Sequence, residues 1–203
     1  MLVLKELGFD ATGVDAHVFE GLNIEAEPRG PLLEQYFSEK GINVKLVDID
    51  KEALPFPSNH FDLVTFIETI EHLHNSPKPI LQEIARVLRG GGYLLLACPN
   101  YAALSKRILA LLGASNHWDL KAYYNFECVS HPSLDFIGHV REFTLSEVEQ
   151  MLRWEDFRIV FSQTYALPAK MPSGLKRSIH QVLDFLSRFG RTLQLNIFVV
   201  AQK

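Results

Sequence analysis

The chain has 203 residues, 47% of them hydrophobic, and carries 20 Lys and Arg against 24 Asp and Glu, a formal net charge of -4. This length suffices for one domain with a substantial core and is too short to expect two. The slightly acidic charge gives no global field that attracts polyanions, so no nucleic-acid partner is expected. A small-molecule, lipid or glycan-type ligand fits the composition better.

The cysteines and the N-terminal residues indicate the cell compartment. Cys98 and Cys128 lie in differently patterned segments, which excludes a disulfide framework and a zinc site built from cysteine alone. The first residues lack the long apolar region and the cleavage site of a secretory signal. No apolar run approaches the roughly 20 residues that span a bilayer. We therefore expect a cytoplasmic protein without stable membrane insertion.

The first half of the chain alternates strand and helix patterns. The run 61–67 is almost continuously apolar, which is typical of a parallel strand covered on both faces. Glycines stop the helical patterns, at Gly8, Gly41 and the run 90–92. Strands that alternate with helices predict an α/β fold with a parallel sheet. The predicted elements are a helix end at 2–7, a strand at 11–15, a helix at 31–40, and then a strand at 44–49, a strand at 61–67, a helix at 79–88 and a strand at 93–98.

The regular alternation of strand and helix patterns does not continue in the second half of the chain. An aromatic and polar stretch gives a lid-like insertion at about 113–142, which is expected to line a ligand pocket; closure of the sheet edge by these rings is an almost equal alternative. Thr144 and Glu147 have the spacing of a capping box. The amphipathic pattern at 175–189 favours packing onto the sheet over a membrane surface. The other predicted elements are helices at 102–112 and from Thr144 or Ser146 to about 152, and strands at 157–164 and 193–201.

The residues that follow each strand are the ones to inspect, because ligands of open parallel sheets bind beyond the carboxyl ends of the strands. Asp15 ends the first strand, where a carboxylate can accept both hydroxyls of a ribose. Taken alone, this residue is equally well explained as a turn or helix-capping aspartate.

A longer series of motifs indicates a family. The segment 50–57 reads Asp-Lys-Glu-Ala-Leu-Pro-Phe-Pro and is followed by Asn59-His60-Phe61-Asp62. Here the sequence resembles class I S-adenosylmethionine-dependent methyltransferases of the type 11/23 kind. The resemblance implies a single domain over 1–203 with a Rossmann-like, mostly parallel sheet, helices on both faces, an antiparallel C-terminal strand, and S-adenosyl-L-methionine as the cofactor. It continues through Glu68 to Leu73, the Gly-Gly-Gly before Tyr93, Pro99-Asn100, His139 to Thr144 and the last strand.

The resemblance also implies roles for single residues in holding the cofactor. Asp50 would accept a hydrogen bond from the adenine amino group, while the backbone N–H of Lys51 donates to a ring nitrogen. Phe66 and Ile67 would border the methionine part. Glu68 would meet the methionine ammonium, or alternatively serve as a carboxylate at a helix N-terminus.

His72 is the candidate catalytic base. Because the sulfonium is already an excellent leaving group, a base matters only where the acceptor must lose a proton. A substrate-facing or structural histidine is the favoured alternative. His72 and His74 suggest a metal, but no third ligand stands at a readable spacing, so a metal-free site is expected. The candidate substrate-binding residues are Asn100, Tyr101, His139 and Arg141.

The family's usual opening strand with its acidic, glycine-rich loop is missing from the sequence. That strand would sit centrally, between the strands ending at Asp15 and Ile67, and unpaired buried backbone groups cost about 1 to 3 kcal/mol each. Together these costs compare with a domain's net stability of about 5 to 15 kcal/mol. The expectation is therefore a truncated gene product or a mis-started reading frame.

The leading functional hypothesis is methyl transfer to a small or medium-sized acceptor, with a homodimer left open. A catalytically inactive methyltransferase-like binding module is the alternative. A nicotinamide-dependent oxidoreductase would share Asp15, but it gives no reason for Asp50 or for the motif from Glu68 to His72.

Overall fold

The computed structural model describes residues 2–15, 35, 37–115, 139–166, 182–183 and 185–203. The described residues fall into two compact units, one reaching to Phe56 and the other starting at Pro57. Each unit contains its own sheet. The named elements are α1 (Leu2–Glu6), β1 (Thr12–Asp15), β2 (Asn43–Leu46), β3 (Phe61–Ile67), a short 3-10 helix (Ile70–His72), α2 (Lys78–Val87), β4 (Leu88–Pro99), α3 (Leu104–Leu111), α4 (Leu145–Trp154), β5 (Arg158–Tyr165) and β6 (Asn196–Gln202).

The first unit is built on two parallel strands. β1 and β2 pair in parallel, with Thr12 opposite Asn43 and Asp15 opposite Leu46. Parallel pairing places the carboxyl ends of both strands at the same edge of the sheet. The predicted strands at 11–15 and 44–49 are therefore confirmed, with the second one ending three residues early.

Glycines follow the helical segments of this unit in the left-handed conformation. Gly8 after α1 has a φ of 86° and Gly41 has a φ of 66°, values that glycine adopts without steric cost after a helix. Residues 35 and 37–39 of the predicted helix 31–40 are helical. Both predicted helix ends are thus confirmed.

The second unit contains a four-stranded sheet in the order β3-β4-β6-β5. β3 and β4 are parallel, whereas β6 runs antiparallel to β4 on one side and to β5 on the other. The last strand is therefore the antiparallel strand that the family resemblance implied.

The core of this unit lies against β4 and β6. The β6 side chains alternate in exposure, with Ile197, Val199 and Ala201 almost fully buried, as a strand with one core face requires. Thr144 caps α4 through the predicted capping box with Glu147. Fully burying each large apolar side chain stabilises the fold by about 1.5 to 3 kcal/mol. The helices contribute to this core Ile80, Leu81, Ile84 and Val87 from α2 and Leu145, Val148 and Leu152 from α4.

Two sequence expectations about β3 and β4 are wrong. In the sheet that the described residues of the second unit form, β3 lies at one end, and of its seven residues only Phe66 is buried, so the expected cover on both faces is not seen there. The glycine run 90–92 does not end the preceding helix but lies inside β4. The register shifts here, and a Cβ on Gly92 would come within 3.0 Å of the Arg89 carbonyl oxygen of β4 and 3.2 Å of the Asp62 carbonyl oxygen of β3. Lack of space beside the backbone of both strands therefore explains this glycine.

Some predictions fall on residues that the structure does not describe. Most of the lid-like insertion at 113–142 and of the helix at 175–189 lies outside the described ranges, although residues 182–183 and 185–187 are helical. Within the described ranges, every helix is too short or too polar to cross a bilayer.

Candidate active site

In the first unit, the two predicted nucleoside-binding carboxylates follow neighbouring strands. Asp15 is the last residue of β1 and lies opposite Leu46 in the parallel ladder. Asp50 lies four residues beyond Leu46 in the chain, and the backbone N–H of Val47 donates to the Asp15 carbonyl at 2.8 Å. Both carboxylates are half-buried. The ladder thus brings Asp15 and the segment that carries Asp50 to the same edge of the sheet.

The turn that carries Asp50 is organised by Asp48. The Asp48 carboxylate accepts from the backbone N–H of Asp50 at 3.1 Å and from Lys51 Nζ at 2.9 Å. The backbone N–H of Lys51 donates to the Asp48 carbonyl at 3.0 Å. That N–H is therefore engaged inside the turn in this structure, whereas the resemblance implied that it reads an adenine nitrogen.

In the second unit, the end of β3 carries the residues predicted to border methionine. Phe66 is buried, with 7% exposure, whereas Ile67 is 49% exposed. Glu68 is exposed and has a φ of 48°. This left-handed conformation is uncommon for a residue with a side chain and is a strained feature often found at functional sites. The backbone N–H of Glu68 holds it against β4 by donating to the Ala97 carbonyl at 2.9 Å.

Asn100, predicted to bind substrate, is fully buried and bonded to the backbone. Its amide donates to the carbonyls of Thr192 at 2.9 Å and Gln194 at 2.7 Å, and its oxygen accepts from the N–H of Ala102 at 3.0 Å. These contacts fasten the chain after β4 to the segment before β6. In this structure Asn100 therefore has a positioning role, while its neighbour Tyr101 is 48% exposed.

The segment 139–143 is tied to the end of β3 and β4 by backbone hydrogen bonds. The Glu71 carbonyl accepts from the N–H of Val140 at 2.7 Å and of Arg141 at 3.3 Å, and the N–H of Tyr101 donates to the Phe143 carbonyl at 2.9 Å. Residues far apart in sequence are thereby brought together. As a result, the His139 and His72 rings pack edge to face with their centroids 5.0 Å apart.

Charged side chains surround this histidine pair. His139 Nδ1 lies 2.9 Å from Glu142 Oε1, and Glu142 also forms an ion pair with Lys106. Burial alone would raise the pKa of Glu142, but its hydrogen bonds to Lys106 and His139 lower that pKa below its ordinary value. Glu142 thus remains a carboxylate that fixes the orientation of the His139 ring.

Glu71 lies at the centre of this cluster. Its side chain is fully buried, and His72 Nε2 lies 3.8 Å from Glu71 Oε1. In the part of the chain that the structure describes, neither carboxylate oxygen has a hydrogen-bond partner. Burial raises the pKa of Glu71 to about 7, and repulsion from Glu68 adds to the effect. The three groups Glu71, His72 and His139 place one ligand atom each within 4.8 Å of one another.

Sequence reasoning missed Glu71, Glu142 and Lys106. The available signal was an acidic residue, Glu71, that stands between the apolar residues Ile70 and Leu73. The sequence predicts a metal-free site, because no third ligand is readable near His72 and His74. The structure supplies that neighbour from 67 residues away, at His139.

A cavity of about 790 Å³ opens beside this cluster. It is bounded by the segment after the 3-10 helix, the start of α2, the segment 140–143 and α4. Arg141 lines the cavity and forms an ion pair with Glu147 at 2.9 Å. Of the candidate substrate-binding residues, Arg141 therefore faces this space. Other lining residues are Leu73, His74, Phe143, Met151 and Trp154.

Comparisons with known proteins agree with this picture. A family model described as a methyltransferase domain matches residues 3–96. The chain is 32% identical over 118 residues to the ubiquinone/menaquinone biosynthesis C-methyltransferase UbiE of Shewanella pealeana, covering 51% of this chain and 47% of that protein. It is 27% identical over 173 residues to the uncharacterized methyltransferase YcgJ of Bacillus subtilis, covering 84% of this chain and 61% of that protein. The chain thus spans about half the length of the curated relatives it matches.

Solved structures show the same fold. A SAM-dependent methyltransferase from Methanosarcina mazei matches with a TM-score of 0.59 at 20% identity, over 100% of this chain and 85% of that one. One from Archaeoglobus fulgidus matches with a TM-score of 0.58 at 19% identity, over 99% and 79%. The Rossmann-like α/β fold is confirmed. The chain is thus similar to a methyltransferase domain over residues 3–96 and has the fold of solved SAM-dependent methyltransferases, as its motifs indicated.

Proposed function

We propose that the chain uses S-adenosyl-L-methionine to methylate a small or medium-sized acceptor. The observation that carries the proposal is the family match over residues 3–96, which includes the paired strands β1 and β2 with Asp15 and Asp50 beyond their shared edge. Carboxylates at such strand ends are suited to the hydroxyl and amino groups of a nucleoside.

In this proposal two carboxylates make the nucleoside contacts. Asp15 accepts hydrogen bonds from the ribose hydroxyls, and Asp50 accepts one from the adenine amino group. Lys51 contributes its N–H to the adenine ring if the hydrogen bond to the Asp48 carbonyl is exchanged for it. The half-buried position of both carboxylates favours such contacts, because hydrogen bonds are stronger where water is partly excluded.

Further residues are proposed for the methionine part and for the acceptor. Glu68 is exposed at the end of β3, where its carboxylate can meet the ammonium group, and the buried Phe66 is proposed to border the methionine part. His72, Tyr101, His139 and Arg141 are proposed to face the acceptor. Asn100 contributes by fastening the segments on either side of them.

The reaction needs few groups from the protein. The acceptor's electron pair forms a bond to the methyl carbon while the carbon–sulfur bond breaks, and its electrons return to sulfur to give the neutral thioether, S-adenosylhomocysteine. Alignment of the acceptor, methyl and sulfur lowers most of the barrier. A proton that the acceptor loses leaves to a neighbouring base or to water.

The acceptor atom is proposed from the relatives. UbiE of Shewanella pealeana is named a C-methyltransferase of ubiquinone/menaquinone biosynthesis, which supports a carbon acceptor on a small or lipid-like molecule. A cytoplasmic location and a homodimer remain predictions, and size-exclusion chromatography with light scattering tests the second.

Calorimetric titration of the chain with S-adenosylmethionine and S-adenosylhomocysteine tests the proposal. We expect micromolar or tighter binding that Asp15→Asn or Asp50→Asn weakens about tenfold, the loss of roughly one charged hydrogen bond. The matched control is Asp62→Asn, because Asp62 is an exposed aspartate that pairs with Arg89 near the start of β3. A folded wild-type chain that binds neither ligand would contradict the proposal and support the inactive binding module. Displacement by a nicotinamide cofactor would support the oxidoreductase instead.

A further inference from the structure

We propose that Glu71, His72 and His139 form a binding site for a divalent transition-metal cation. One carboxylate and two imidazoles of the described residues converge here, with their ligand atoms all within 4.8 Å of one another. The combination of two histidines and one carboxylate is a common ligand set for zinc and for other first-row divalent ions.

To hold an ion, the ligand atoms must approach one another by up to about 1.4 Å, from within 4.8 Å to the spacing of a tetrahedral zinc site. Zinc bonds of about 2.1 Å in a tetrahedral site set the ligand atoms roughly 3.4 Å apart. Glu71 Oε1 and His72 Nε2 are already 3.8 Å apart. The His72 side chain is 43% exposed, which leaves its ring room to adjust while it stays against His139.

The burial of Glu71 is the second, independent observation. Its carboxylate is fully removed from solvent, and both oxygens lack a hydrogen-bond partner in the described part of the chain. An ionised carboxylate left in this state is costly, and buried charges in proteins are normally paired or bound to metals. A cation between Glu71 and the two histidines supplies the missing partner.

The surroundings of His139 also match those of a metal ligand. Histidines that bind metals usually donate their other ring nitrogen to a carboxylate, which fixes the ring and its tautomer. His139 Nδ1 lies 2.9 Å from Glu142 Oε1, and Lys106 pairs with the same glutamate. Because Nδ1 faces Glu142, Nε2 is the His139 nitrogen that would bind the ion. Glu142 is then a positioning residue.

The ion would explain how an acceptor loses its proton, a part of the inference that rests on the proposed function. A bound divalent cation lowers the pKa of a coordinated hydroxyl and holds its oxygen in place. His72 would then act as a ligand rather than as the catalytic base. Metal binding itself does not depend on this role.

The test is calorimetric titration of the chelator-treated full chain with ZnCl₂, with the visible absorption of added Co²⁺ as a second readout. We expect about one ion per chain. Glu71→Gln and His139→Gln should each weaken binding by at least about 100-fold, and Glu142→Gln, as an outer partner, by roughly 10- to 100-fold. His60→Gln is the matched control, because His60 is an exposed histidine outside the cluster, and it should leave the affinity unchanged.

Thermal denaturation shows whether each variant is folded. The wild-type melting temperature should rise on adding Zn²⁺, whereas that of Glu71→Gln should not, although in chelator this variant should melt no lower than the wild type. Absence of binding by the wild-type chain, or affinity unchanged in both Glu71→Gln and His139→Gln, would overturn the site. Titration with S-adenosylmethionine in chelator is run separately. If the chain binds Zn²⁺ but not S-adenosylmethionine, only the proposed function is refuted. If it binds S-adenosylmethionine but not Zn²⁺, only the metal site is refuted.

Discussion

Two buried glutamates of the second unit differ in their surroundings. Glu149 on α4 accepts hydrogen bonds from Ser162 and Arg191 and from Arg153 at 3.2 Å, whereas Glu71 has no such partner among the described residues. Burial acts on both carboxyls, but the Ser162 hydrogen bond and the two arginines lower the pKa of Glu149. Burial instead raises the pKa of Glu71 to about 7.

The difference separates a side chain that stabilises the fold from one that weakens it. Glu149 connects α4 to β5 and to the segment before β6, and it contributes stability because its charge is compensated. Glu71 is held in place by its backbone, whose carbonyl accepts from Val140 and Arg141, while its carboxylate has no hydrogen-bond partner among the described residues. A buried group that costs stability is a candidate for function.

The largest expected loss of stability comes from Asn100, a buried side chain without charge. Asn100→Ala removes three hydrogen bonds to the backbone and leaves the carbonyls of Thr192 and Gln194 without this donor. At about 1 kcal/mol for each bond, the free energy of unfolding should fall by about 3 kcal/mol. Urea denaturation measures this, with the exposed Gln82→Ala on α2 as control, expected within about 0.5 kcal/mol of wild type. An equally small change for Asn100→Ala would show that the residue is free for substrate.

Glu149→Ala should lower the free energy of unfolding by about 2 kcal/mol, because hydrogen bonds to a charged group are lost from a nearly buried site. The same denaturation experiment measures it. The control is the neighbouring exposed Gln150→Ala, which removes a side chain from the same helix without a buried contact. If both variants lose the same stability, the arginine and serine contacts of Glu149 do not explain the effect, because alanine itself favours the helix.

Glu71→Gln should change stability in the opposite direction. In chelator, this substitution removes a buried charge of nearly the same shape, so unfolding should cost about 1 kcal/mol more than in the wild type. Chemical denaturation in the presence of chelator measures the difference. A loss of stability comparable to that of Glu149→Ala would mean that Glu71 is a compensated structural residue, and the contrast between the two glutamates would disappear.

The smallest effect concerns pH. Because the folded state lowers the pKa of Glu149, its contribution is fully present above the ordinary glutamate value of about 4.5 and is lost as the pH falls through the folded value. The stability gap between the wild type and Glu149→Ala should therefore shrink by up to about 1 kcal/mol between pH 7 and pH 3. Denaturation of both chains at several pH values measures it. A constant gap would assign the effect to packing instead of charge.

Elements with strong local signals were predictable from the sequence. The strand at 61–67 has the bounds of β3, and the capping box of Thr144 and Glu147 begins α4 as expected. Gly8 and Gly41 follow helices with positive φ. The exposure of β3 was not predictable, because an apolar run reports the tendency to be buried and not the neighbours that the sheet provides. The role of the glycine run 90–92 was not predictable for a similar reason. Gly92 is required because a side chain there would meet backbone oxygens of β4 and β3.

The sequence by itself determined the alternation of strands and helices, the strand ends with their acidic residues, and the family motifs, because each depends on neighbours a few positions away. Only the tertiary structure decided which side chains meet. His139 joins Glu71 and His72 because backbone hydrogen bonds tie segment 139–143 to Glu71, and Asn100 is saturated because residues 192–194 fold back onto it. Such contacts join residues between 67 and 94 positions apart, a distance over which local periodicity carries no information.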